Sequence, residues 1–86
     1  MHDAISKIEK ELENTARKCL RLIVTRTLKP KQYAALSKWV FGCMNQRFTI
    51  RRRVKERGKA ELAKVLVFIE AACRELLVIS EQERDD

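Results

Sequence analysis

Seven of the thirteen residues from Arg47 to Lys59 are basic, and this crowding is the strongest chemical signal in the chain. Arg47, Arg51, Arg52, Arg53, Lys55, Arg57 and Lys59 stand there against the single acid Glu56. In helical geometry Arg47, Arg51, Lys55 and Lys59 share one stripe, Arg52 and Arg53 flank it, and Ile50 and Val54 turn inward. Like charges four residues apart repel, and bases at a helix N-terminus oppose its macrodipole. Neither cost helps folding, so the pattern implies an anionic counterpart.

Phosphate is the first candidate. Arginine offers a planar fork of donors that matches it, and each neutralised phosphate releases condensed counterions. The reading is therefore a nucleic-acid-binding accessory or regulatory protein, DNA or RNA, held by backbone contacts rather than base recognition. Arg17, Lys18, Arg21, Lys29, Lys31 and Lys38 are the secondary contacts. The alternative is a small helical protein-binding regulator or inhibitor that lays the same basic face on an acidic partner surface, such as that of a nucleic-acid enzyme. A third possibility is that the run pairs internally with Glu9, Glu11, Glu13 or the acidic last helix, which would remove the footing of the nucleic-acid reading.

The formal charge of +7 understates the contrast along the chain. Residues 17–59 hold fourteen bases against Glu56, and both flanking segments are net acidic. A helix-turn-helix outline runs from Leu28-Lys29-Pro30 through an apolar helix to the basic one, but the position four before Gly42 is Lys38 where a small residue is expected. Among the aromatic residues Tyr33, Trp39, Phe41 and Phe68 fit core positions. Phe48, beside Arg47, is the exception that could stack on an unpaired base.

Other chemistry finds no footing. The sole histidine is His2, no Cys-x-x-Cys pair exists, and no glycine-rich phosphate loop or activated nucleophile can be assembled. The expectation is no enzyme, no metal and no cofactor. Cys19, Cys43 and Cys73 are odd in number and lie in apolar stretches, as free thiols of a reducing, cytoplasmic compartment would. No segment has the length and apolarity of a signal peptide or membrane span.

The elements that must position the basic run are helices. Two glycines and one proline in 86 residues leave almost no room for hairpins, and charged residues make up 36% of the chain. The expectation is an all-α, single domain of three helices with a long C-terminal helix. Asp3 caps a first helix over about 3–28, with Ile5, Ile8, Leu12, Ala16, Cys19, Ile23 and Thr27 on its inner stripe. Leu20, Leu22, Ile23 and Val24 make its second half the more deeply buried. Pro30 starts a second helix reaching about Asn45, with Tyr33, Leu36, Val40 and Cys43 or Met44 inward, Trp39 and Phe41 widening the face, and Gly42 a close contact.

Asn45-Gln46 is then the turn and Thr49 caps a third helix over about 49–80. Ile50, Val54, Gly58, Leu62, Val65, Ile69, Cys73 and Leu76 run along it at steps of three or four; a break at Gly58 is the rival reading. Residues 81–86 fray. A core this thin is commonly completed by association, so the expectation includes a homodimer.

Overall fold

The computed structural model describes residues 2–84, with side chains placed for residues 3–82. Three helices, α1 (His2–Thr25), α2 (Pro30–Arg57) and α3 (Ala60–Arg84), form an up-down-up bundle 45 Å long and 18 by 17 Å across. No strand occurs among the described residues, as the scarcity of chain breakers dictates.

The boundaries differ from the sequence expectation in a way that changes the fold's layout. Residues 45–49 are continuous helix, so Asn45-Gln46 is no turn and Thr49 is no cap. The Thr49 hydroxyl instead donates to the Asn45 carbonyl at 2.8 Å, the back-bond open to a mid-helix threonine. Leu36, Cys43 and Ile50, all fully buried, are spaced seven apart and hold α2 together as one rod through this stretch.

The chain reverses at Gly58. Its φ of 87° lies in the region open to glycine, and its N–H donates to the Val54 carbonyl at 2.8 Å, closing the last turn of α2. Glu61 N–H then reaches the Gly58 carbonyl at 3.2 Å and starts α3. The expected 49–80 helix is thus two antiparallel pieces, and α3 runs on through residues 81–84 where fraying was expected. Residues 85–86 of that tail lie outside the described residues.

At the other reversal Pro30 acts as expected. Lys29 is extended before it (φ −69°, ψ 152°), and its N–H donates to the Gln32 side-chain oxygen at 3.0 Å. That extended link ends α1 at Thr25 rather than at residue 28. Helix α1 already includes His2, which places Asp3 within its first turn, where its charge suits the helix dipole.

Two apolar clusters fill the bundle. The lower one packs Ile5, Ile8, Leu12 and Ala16 of α1 against Cys43, Ile50 and Val54 of α2 and Val65 and Ile69 of α3. The upper one joins Cys19 and Leu22, Leu36, and Leu76 and Ile79, with Trp39, Val40 and Ile23 half-buried beside it. The inner stripe of α1 therefore passes through Leu22, while Ile23 is half-buried and Thr27 is exposed. Leu20 and Val24 face outward, so the second half of α1 is not the deeper one. Tyr33, Phe41 and Cys73, expected inside, are also exposed, because α2 and α3 each need only one narrow stripe in a bundle this thin.

Gly42 is a close contact, as its placement within a helix implied. A Cβ there would come within 2.6 Å of the Phe68 ring, which also meets Trp39 edge-on with 5.1 Å between centroids. Trp39 Nε1 donates to Glu75 at 2.7 Å and ties α2 to α3. Replacing Gly42 by Ala should gain up to ~1 kcal/mol of helix propensity and lose about 1–3 kcal/mol to overpacking. Urea unfolding should therefore show net destabilisation, and adding Phe68→Leu should recover most of it.

Candidate functional site

Helix α2 carries the basic run at its C-terminal end, beside the N-terminal halves of α1 and α3. The antiparallel crossing of α1 brings Glu9 and Glu13 alongside. Arg51 grips Glu9 with two hydrogen bonds, Nε at 2.9 Å and Nη2 at 2.8 Å, and Nη2 also lies 3.5 Å from the Ser6 hydroxyl. This fork holds the guanidinium even more firmly protonated than usual. One turn along, Arg47 pairs with Glu13 at 3.4 Å, and Glu13 also binds Arg17 at 2.7 Å.

The end of the bundle is organised by Glu61, which sequence reasoning did not single out. Its side chain is only 3% exposed, yet three cations converge on it: Lys64 at 3.3 Å, Arg57 at 3.8 Å and Arg53 at 4.0 Å. Arg53 also donates to the Gln46 side-chain oxygen, and its Nε is buried without a partner among the described residues. The available signal was Gly58 itself. A reversal there places an acid three residues later at the N-terminus of α3, against the bases just before it.

Arg47, Arg51, Arg53 and Arg57 are thus turned onto the protein's own carboxylates, leaving Arg52, Lys55 and Lys59 exposed with no ion-pair partner among the described residues. A phosphate that captured Arg51 would displace a two-pronged carboxylate and leave Glu9 as a repelling charge, so the exchange gains little. The secondary bases do not converge either. Arg17 is paired to Glu13, Lys18 and Arg21 stand exposed on α1, and Lys29 and Lys31 lie at the opposite end of α2, about 40 Å from Lys59 by helical rise.

What the structure does assemble is an outward stripe on α2. Ala34, Lys38, Phe41, Asn45, Phe48, Arg52 and Lys55 follow one another at steps of three or four, and all are exposed. It contains no acid. Phe41 and Phe48 are 75% and 73% accessible, about 10 Å apart along the axis. Arg47 lies 6.0 Å over the Phe48 ring, which stands apart from the core as expected; Phe41 beside it is the residue the sequence reading put inside. Next to Phe41, a groove of about 200 Å³ is lined by Leu20, Ile23, Tyr33, Ser37 and Val40.

No protein family, curated protein or solved structure matches the chain. Among the described residues no cluster of ligating side chains could hold a metal ion, and no helix is long and apolar enough to cross a membrane. The fold and its surfaces therefore carry the functional reading on their own.

The thiols divide by burial. Desolvation pushes Cys19 up to about 12 and Cys43 to about 11, so both stay protonated at neutral pH, whereas Cys73 is exposed near Thr15. A soluble aromatic disulfide reagent at pH 8 should modify Cys73 promptly and the other two at the rate of unfolding, read as one fast and two slow equivalents of released thiolate. Separately, Glu61→Ala should cost roughly 2 kcal/mol, the scale of hydrogen bonds to charged groups. The check is the urea midpoint, with Arg52→Ala as a control that should leave it unchanged.

Proposed function

We propose that this chain is a non-enzymatic, helical protein-binding regulator that presents the outward stripe of α2 to an acidic partner surface with apolar side chains. The observation that carries the reading is the pair of exposed phenylalanines, Phe41 and Phe48, framed by Lys38, Arg52 and Lys55 with no acid among them. Two large aromatic rings left in water favour a partner that covers them, and the flanking cations select that partner's charge. The adjoining groove supports a protein occupant. Its walls of Leu20, Ile23 and Val40 suit an aliphatic side chain of an amphipathic helix, a helix-in-groove mode.

Nucleic acid is the second reading, and the same stripe favours it to the extent that Phe48 and Phe41 could stack on unpaired bases between Lys38 and Arg52. The support that a free arginine run would lend it is weakened by the pairing of Arg47, Arg51, Arg53 and Arg57. Two buried, unpaired thiols, Cys19 and Cys43, favour a reducing and hence cytoplasmic setting. Self-association through a separate face, that of α3, is part of the same proposal.

The test uses a synthetic helical peptide with leucines at every third or fourth position and glutamates between them, beside duplex DNA, single-stranded DNA and RNA at two salt concentrations. The wild-type chain should bind the peptide, and Phe41→Ser with Phe48→Ser should weaken it at least about tenfold with helicity unchanged, while bare nucleic acid stays unbound at the higher salt. Tight nucleic-acid binding with a steep salt slope, lost in Arg52→Ala with Lys55→Ala, would overturn the protein-partner reading.

A further inference from the structure

Helix α3 turns a second apolar face to solvent, away from both clusters of the core. Ala63, Leu66, Glu70, Cys73 and Leu77 follow at alternating steps of three and four, with Val67, Arg74 and Val78 beside them, and all are exposed. Val67 and Leu77 are 65% and 59% accessible. This is the spacing of a helix seam that packs against another helix. Only its edges meet the other helices, Cys73 lying 3.9 Å from the Thr15 hydroxyl of α1 and Arg74 and Val78 sharing a groove with Trp39 of α2.

Glu70 and Arg74 are the charges in the middle of that face, opposite in sign and one helical turn apart, and Glu81 follows at its C-terminal end. Neither Glu70 nor Arg74 has an ion-pair partner among the described residues. Glu75, the adjacent acid, is engaged by the Trp39 indole instead. A Glu-Arg couple in the middle of an apolar face is costly to cover with a purely aliphatic surface, because the one contact the two could make with each other does not replace the water both would lose.

The sequence along the stripe resolves this by symmetry. A two-fold axis level with Ala72 sets Glu70 of one copy against Arg74 of the other, twice, and sets Leu66 and Val67 against Val78 and Leu77. A parallel pairing would put Glu70 against Glu70 and Arg74 against Arg74, so charge selects the antiparallel arrangement. We propose that α3 pairs antiparallel with α3 of a second copy through Leu66, Val67, Glu70, Arg74, Leu77 and Val78.

The seam is one helix pair, smaller than a standard interface of about 1,600 Å², so the dimer is reversible and depends on protein concentration. It is a separate surface from the α2 stripe, and dimerisation leaves Phe41 and Phe48 free for the acidic partner proposed for that stripe.

Sedimentation over a wide concentration range tests it. The wild-type chain should pass reversibly from monomer to dimer. Glu70→Arg and Arg74→Glu should each raise the dissociation constant at least about tenfold, with circular dichroism showing both folded. Mixed in equal amounts, the two single variants should form a heterodimer of near wild-type affinity, because the paired arginines of one chain then face the paired glutamates of the other. The Phe41→Ser, Phe48→Ser variant should dimerise like wild type, which separates failure of this proposal from failure of the partner-binding one. A wild-type chain that stays monomeric throughout, a dimer indifferent to either single substitution, or single variants that do not pair when mixed would each overturn it.

Discussion

The neutralisation of positive charge at the closed end of the bundle is the constraint on which the rest depends. Helix α2 ends in a dense run of arginines and lysines that repel one another along its surface. Bases near a helix C-terminus are favoured by the dipole, which is where the structure puts them, rather than at the N-terminus of a third helix. The remaining repulsion is met by Glu9 and Glu13 of α1 and by Glu61 of α3. Exposed pairs such as Arg17 with Glu13 contribute only ~0.2–1 kcal/mol each. Glu61 is different, since its burial concentrates the attraction of three cations on one desolvated carboxylate that both α2 and α3 need. The same contacts fix which helix ends lie together.

The fold class was legible in the residues and the helix boundaries were not. Composition and the scarcity of glycine and proline dictated helices, and Pro30 marked one reversal because its ring constrains the residue before it. The other reversal was hidden because the apolar stripe Ile50, Val54, Leu62, Val65, Ile69 keeps a helical rhythm straight through Gly58, although the chain turns back there. The heptad Leu36, Cys43, Ile50 was the competing signal, and it describes the actual rod. Asn45 and Gln46 looked like a turn by propensity, but burial of the residues on either side outweighs a few tenths of a kcal/mol of intrinsic preference.

The candidate site was legible as a charge pattern and not as a surface. Arg51 and Arg53 differ by two positions from each other and by one from Arg52, yet the first two meet acids or amides and Arg52 points outward. Which of them is spent internally depends on the crossing of α1, which no local pattern encodes. Phe41 was placed inside because an aromatic residue in an apolar stretch usually is; a bundle only 17 Å thick has no room for a second inward face on α2. With the arginines engaged, the surface that remains distinctive is aromatic with a cationic frame.

Trp39 lies where α2 meets α3, its ring edge against Phe68 and its Nε1 on Glu75, and it is the single indole in the chain. Its emission is consequently an optical gauge of one seam. Detachment of α3 would strip the indole of both its neighbouring ring and its carboxylate acceptor and shift its spectrum, whereas loosening of α1 from the lower cluster would leave that fluorescence nearly silent. Comparing it with backbone ellipticity would therefore show whether the bundle comes apart as one unit or sheds its last helix first.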